Sequence, residues 1–286
     1  MNMNEQRTAV ITDSGCDLPA DLVRELDIRV IPLHVIYPEK DYEDGTGIDP
    51  LMIYRRFPGE IPTTSTPTQA EIRDLLEKVR EDGYEKAVAV TISGALSGTG
   101  NAIRLAAEDV EGLETFVFDT KNISFGSGVF AIYAAKLLQK GLSFEEVCRK
   151  LEEKKADSKV LFYMDTLTYL KKGGRIGKVT GTIGEVLRIK PIISCNPDGV
   201  YYTVAMARGA ACAMNRLISE VTEFVKDKNA WLVLGDGDAK EAVALLAERI
   251  AEKLPHAKIL FEKQITASMA VHTGPGLLGV MMFVNP

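Results

Sequence analysis

The sequence predicts an α/β fold: a three-layer domain on a parallel sheet, followed by a mixed α+β domain. Three observations predict it. Short apolar runs alternate with helical patterns through the first half of the chain, which is the signature of strands crossing over through helices. One run, Ala87 to Ile92, is apolar at every position but Thr91, as expected of a strand buried on both faces. In the second half an Asp-Gly pair separates two extended runs, which marks an antiparallel hairpin. A length of 286 residues suits two domains. The charge-rich helix Ser143 to Lys155 closes the first, which gives units 1–157 and 158–286.

Each element follows in order. Thr8 to Thr12 reads as a strand and Asp13-Ser14-Gly15 as a turn. A helix follows Pro19, with Leu22, Val23 and Leu26 on one face. Ile28 to Ile36 is a second β-branched run, and Asp41 to Pro50 a polar loop. Thr68-Gln69-Ala70-Glu71 is a capping box that opens a helix carrying Ile72, Leu75, Leu76 and Val79. Thr115 to Phe118 is a further strand, and a Gly-rich opening leads into an apolar helix that ends near Lys140-Gly141. Ser143-Phe144-Glu145-Glu146 is a second capping box. In the second half Val160 to Tyr163 reads as a strand, Thr166 to Leu170 as a short helix and Lys171 to Gly184 as an ordered loop. The hairpin joins Ile189–Cys195 to Val200–Ala205. Helices over Ala210 to Lys226 and Ala239 to Leu254 alternate with strands at Trp231–Leu234, Ile259–Phe261 and Val280–Val284.

Composition narrows the function. The net charge of −6 argues against a general nucleic-acid coat, which needs a basic face. No apolar run approaches the roughly 18 residues of a spanning helix. The polar start, Met1 to Arg7, has no apolar secretion signal. Cys16, Cys148, Cys195 and Cys212 are scattered and read as reduced thiols of a cytoplasmic protein.

Most catalytic signatures are absent. The run Lys172 to Val179 lacks the first glycine of a phosphate loop, and Val179 stands where magnesium needs a hydroxyl. Gly126-Ser127-Gly128 lies too far from its strand for a dinucleotide turn. No Gly-x-Ser-x-Gly elbow occurs. His34 in a strand, His256 in a turn and His272 in a loop are isolated, so no metal site is expected. Asp13 and Asp17 are read as turn and helix-cap residues before the Pro19 helix rather than as an acid–base pair.

What exceeds structural need is hydroxyl and glycine density at predicted strand ends. Thr63 to Thr68 precedes one helix and Ser93 to Thr99 the next. In a parallel sheet both would fall at the carboxyl edge, where open α/β sheets bind ligands. Neutral donors there could hold a carboxylate, with Arg175 and His272 completing the charge match.

These segments carry a resemblance. Asp13-Ser14-Gly15-Cys16-Asp17-Leu18, Thr64-Ser65-Thr66-Pro67-Thr68, Ser93-Gly94-Ala95-Leu96-Ser97-Gly98-Thr99, the run Thr166 to Gly177, Lys190-Pro191-Ile192 and His272-Thr273-Gly274-Pro275-Gly276 occur in this order. Over nearly its whole length the chain resembles the DegV family of bacterial fatty-acid-binding proteins, the FakB type. The resemblance implies a non-enzymatic lipid carrier with a long-chain fatty acid, such as hexadecanoate, held between two domains. It places the carboxylate near Thr64 and Ser97, with Arg175 and His272, and more loosely Arg208, Ser65 and Gly98. It implies a partner, the ATP-binding kinase subunit that makes an acyl phosphate, together with transient membrane contact, and it requires no cofactor. Gly94 departs from a serine common in relatives, and Gly100 and Asn101 from Tyr and Gln.

An acyl chain of about fifteen buried methylenes at roughly 0.8 kcal/mol each would contribute on the order of 12 kcal/mol before association costs. Only a tunnel supplies this. Val129, Phe130, Ile132 and Tyr133 are candidates for its wall, and an apolar run is equally compatible with plain core. The alternatives are a phosphotransferase acting on a small carbonyl compound, with Asp13 or His272 as base, and a regulatory protein that senses a lipid.

Overall fold

The computed structural model describes residues 4–182 and 189–286. The last two residues of the loop expected from Lys171 to Gly184 lie outside them.

β1 (Thr8–Asp13) is buried at every position, as an interior parallel strand requires. A single 3₁₀ turn, Ser14–Cys16, leads toward α1 (Ala20–Glu25) and then β2 (Ile28–Ile31), which pairs parallel to β1. The β-branched run expected to continue to Ile36 divides at Pro32, which has no N–H for a ladder. Its second part, β3 (His34–Tyr37), joins another sheet. There β4 (Lys40–Glu43), inside the expected polar loop, pairs with it antiparallel. α2 (Pro50–Arg56) begins on an Asp49 cap. β5 (Thr63–Ser65) takes the other edge of β3, so the first hydroxyl-rich segment belongs to an antiparallel three-stranded sheet and not to the parallel one.

α3 (Gln69–Glu81) starts at the expected capping box. β6 (Lys86–Thr91), α4 (Thr99–Glu108) and β7 (Glu114–Asp119) complete a parallel sheet of order β2-β1-β6-β7. α5 (Phe125–Gln139) is buried at every position except Lys136 and Gln139. It is apolar all round because it packs on β1 and β6 on one side and on the second sheet on the other. Gly128 permits this contact: a Cβ there would lie 2.4 Å from the Cys16 carbonyl oxygen. α6 (Phe144–Glu153) starts at the second expected capping box.

β8 (Ser158–Tyr163) and α7 (Thr168–Lys172) precede the expected hairpin, β9 (Ile189–Cys195) with β10 (Tyr201–Arg208). Then come α8 (Ala210–Val225), β11 (Ala230–Gly237), α9 (Lys240–Lys253), β12 (Lys258–Gln264), α10 (Ala267–Thr273) and β13 (Leu277–Val284). The sheet order is β10-β9-β8-β13-β11-β12; β11 and β12 are parallel and the other pairs antiparallel. One face packs under α8 and α9 around Leu217, Leu232 and Leu246. The other meets α5 around Phe130, Met281 and Phe283. The parallel-sheet domain and the mixed-sheet domain thus share one apolar layer.

Candidate functional site

The site lies in that shared layer. The loop after β6 and strand β5 arrive from one side, and α10 and the residues after α7 from the other. Thr64, Ser97, Arg175 and His272 line one cavity of about 100 Å³ together with Ser65. Thr64 Oγ1 and His272 Nε2 are 2.8 Å apart. His272 Nδ1 is buried and has no hydrogen-bond partner. A buried N–H without an acceptor is rarer than a bare lone pair, which fits a ring protonated at Nε2 and donating to Thr64. The threonine hydroxyl then keeps its own proton for a ligand. Burial first, and the Arg175 charge second, pull the His272 pKa down to about 4, so the ring is neutral near pH 7.

Ser97 Oγ accepts the Thr99 N–H at 3.3 Å and lies 2.9 Å from Thr99 Oγ1. If the Thr99 hydroxyl donates to it, the Ser97 proton is also free. Ser93 is used differently: its hydroxyl donates to the Gly199 carbonyl at 3.0 Å and ties the loop to the hairpin. Arg175 donates from Nε to Leu96 O at 3.3 Å and from Nη1 to Gly173 O at 2.6 Å. Among the described residues no carboxylate forms an ion pair with it. Two hydroxyls, a neutral imidazole and a guanidinium with no carboxylate partner among the described residues suit a single anionic carboxylate. Gly98 caps α4 beside the cavity without lining it, and Arg208 is exposed at the end of β10, away from it.

A second, apolar cavity of about 40 Å³ continues inward. The two share Ile123, Tyr201, Met269 and Thr273, so they adjoin through these four residues and mark out a passage with a polar end. Wall and plain core are equally compatible with the apolar helix, and the cavity lining favours core for the four residues named. Val129, Phe130, Ile132 and Tyr133 are packed core; the helix contributes its start instead, Ser124 and Phe125 with Ile123 before it. Helical periodicity marks a buried face but does not say which turn meets a void. Tyr201 and Met269 carried no sequence signal, because they come together only through tertiary packing. The same passage meets solvent on the far side of the polar end. A groove of about 680 Å³ shares Thr64, Arg175 and His272 with it and adds Lys172.

His272 lies in a helix, α10, where a loop was expected. Six of its seven residues are buried, so no amphipathic period betrays it. Two buried carboxylates hold its start. Asp17 accepts the Thr266 N–H at 2.7 Å and also the Ser124 hydroxyl. Asp44 accepts the Ser268 N–H at 3.0 Å and the hydroxyls of Ser268 and Ser14 at 2.6 and 2.8 Å. Neither Asp13 nor Asp17 caps α1, which has no side-chain cap. Asp13 accepts the Ile92 N–H at 3.0 Å; burial pushes its pKa up to about 7, against the lowering effect of that bond. Among the described residues no group of three or more His, Cys, Asp or Glu is placed to hold a metal ion, and no helix is long and apolar enough to cross a membrane.

Fold and site together define an α/β protein in which a polar cavity adjoins an apolar one between two sheets. Residues 7–285 match the family model described as "Uncharacterised protein, DegV family", and the chain belongs to the DegV family. A DegV domain-containing protein of Clostridium acetobutylicum is 37% identical over 278 residues, covering 97% of this chain and 99% of the relative. Among solved structures, a DegV family protein of Thermus thermophilus described as binding fatty acid superposes with a TM-score of 0.92 at 30% identity, covering 97% of this chain and 99% of the other. A stearic-acid-binding protein of Eubacterium ventriosum gives a TM-score of 0.90 at 28% identity, covering 97% and 98%.

Proposed function

We propose that the chain binds one long-chain fatty acid in this passage. Its carboxylate lies among Thr64, Ser97, Arg175 and His272, and its alkyl chain in the apolar cavity beyond Tyr201. The observation that carries the reading is that the two cavities adjoin: hydroxyls and the Arg175 guanidinium line one end, apolar side chains the other. A buried carboxylate is costly unless it is hydrogen-bonded and charge-matched, and this end offers both. The relatives described as fatty-acid-binding support the ligand class. In this reading Ser65 lines the polar end, and Gly98 and Arg208 lie outside its lining.

The protein is a carrier rather than an enzyme. It presents the carboxylate to a separate ATP-dependent kinase, which forms the acyl phosphate. The outer groove supports this, because it reaches Thr64 and His272 from solvent without crossing the acyl passage. We place the protein in the cytoplasm, as its unpaired cysteines suggest, and the division between its domains at 157/158, just before β8. The test is titration of delipidated protein with hexadecanoate. Saturation at one per chain, weakened in Thr64→Ala and Ser97→Ala, supports the reading; no binding by the folded wild type rejects it.

A further inference from the structure

Phe125 occupies a particular place in the sheet beneath the apolar cavity. Gly235 on β11 lies directly opposite Gly279 on β13. Directly opposed residues project from the same face of a sheet, so two neighbouring positions there carry no side chain. The face is the one toward α5, since Val233 and Met281, two residues along each strand, belong to the shared core. On either side of the glycines, Leu277 and the Val233–Met281 pair rise as walls. The result is a trough in the floor of the cavity, lined by both glycines. The Phe125 ring lies over its Gly235 side: a Cβ on Gly235 would sit 2.3 Å from Phe125 Cε2, whereas a Cβ on Gly279 would meet Phe162 Cβ at 3.3 Å. Phe261 holds the ring edge-on at 5.9 Å.

The space left is small. A dry cavity of about 150 Å³ accepts a ring of benzene size, and the two cavities measure about 100 and 40 Å³. A long alkyl chain therefore needs side chains to yield, and the Phe125 ring covers Gly235, where the floor has no side chain beneath it. We propose that Phe125 is a specificity-determining residue: by covering Gly235 on the trough floor it sets the length of acyl chain the passage accepts. This rests on the fatty-acid reading above.

The experiment offers delipidated protein an equimolar mixture of tetradecanoate, hexadecanoate, octadecanoate and eicosanoate, and reads the bound mixture by mass spectrometry. Phe125→Ala opens the trough and raises the bound octadecanoate-to-tetradecanoate ratio roughly tenfold, the effect of about two further buried methylenes. Gly235→Ala drives the ring out of the trough into the cavity and lowers the ratio by a similar factor. Thermal unfolding confirms that each variant is folded. Should Phe125→Ala not fold, Phe125→Leu replaces it and is expected to shift the ratio the same way by a smaller factor. A wild-type preference kept unchanged by the folded variants at both positions overturns the inference while leaving fatty-acid binding intact. A wild type that takes up none of the four acids instead overturns the reading beneath it, and the inference with it.

Discussion

With His272 protonated at Nε2 and donating to Thr64, the threonine hydroxyl proton is free at the polar end of the apolar passage, and that proton sets the first expectation. Loss of a hydrogen-bond donor to a charged group costs about 1.5–3 kcal/mol, or roughly ten- to hundredfold in affinity. Thr64→Ala and Ser97→Ala should each weaken fatty-acid binding by that factor, measured by titration, with unfolding midpoints near wild type. Two titrations of opposite sign should appear in the stability curve. His272 has a folded pKa of about 4, below its ordinary 6.5. Its contribution is complete above 6.5 and falls away as pH drops toward 4, because the unfolded chain then binds the extra proton. Asp13 has a folded pKa of about 7, above its ordinary 3.8. Its contribution is complete below 3.8 and is lost as pH rises toward 7. Asp13→Asn should therefore remove a decline of up to about 4 kcal/mol between those limits, read by denaturant unfolding at successive pH values. The four head-group candidates were legible because hydroxyls, a guanidinium and an imidazole recur in motifs with no metal or nucleophile to serve. Arg208 rested on the resemblance alone, and it stands exposed at the end of β10, outside the cavity lining.

At the scale of elements, α10 depends on the two carboxylates that hold its start. Asp44 accepts from Ser14 in the turn after β1 and from Ser268 in the helix, and so joins segments far apart in sequence. Each buried donor left without an acceptor costs about 1–3 kcal/mol. Asp44→Ala should lower stability by about 3 kcal/mol or more in urea unfolding, and should speed amide exchange in α10 ahead of α3, whose capping box is untouched. Such long-range bonds explain what the sequence withheld. The two capping boxes and the Asp-Gly hairpin were readable because their partners lie within a few residues. α10 was not, because its cap comes from the other end of the chain and its burial erases the period. β3 and β5 were misread for a related reason: which sheet a short strand joins is decided by Pro32 and by tertiary pairing, not by its own composition.

Over the whole molecule, two sheets enclose a single apolar layer, and α5 is its centre. Gly128→Ala would push a Cβ into the Cys16 carbonyl at 2.4 Å and should destabilise the contact between α5 and the turn after β1 by about 1–3 kcal/mol. The purified chain should not turn over ATP, since the Lys172 to Val179 run lacks the residues of a phosphate loop; a phosphate-release assay checks this. The central claim is that the passage between the sheets holds a fatty acid, and the most direct test is mass spectrometry of an organic extract of the protein purified from lipid-replete cells, followed by reloading of the delipidated chain. The account predicts one long-chain fatty acid per chain, recovered on reloading. A folded protein that carries none and takes up none would contradict it.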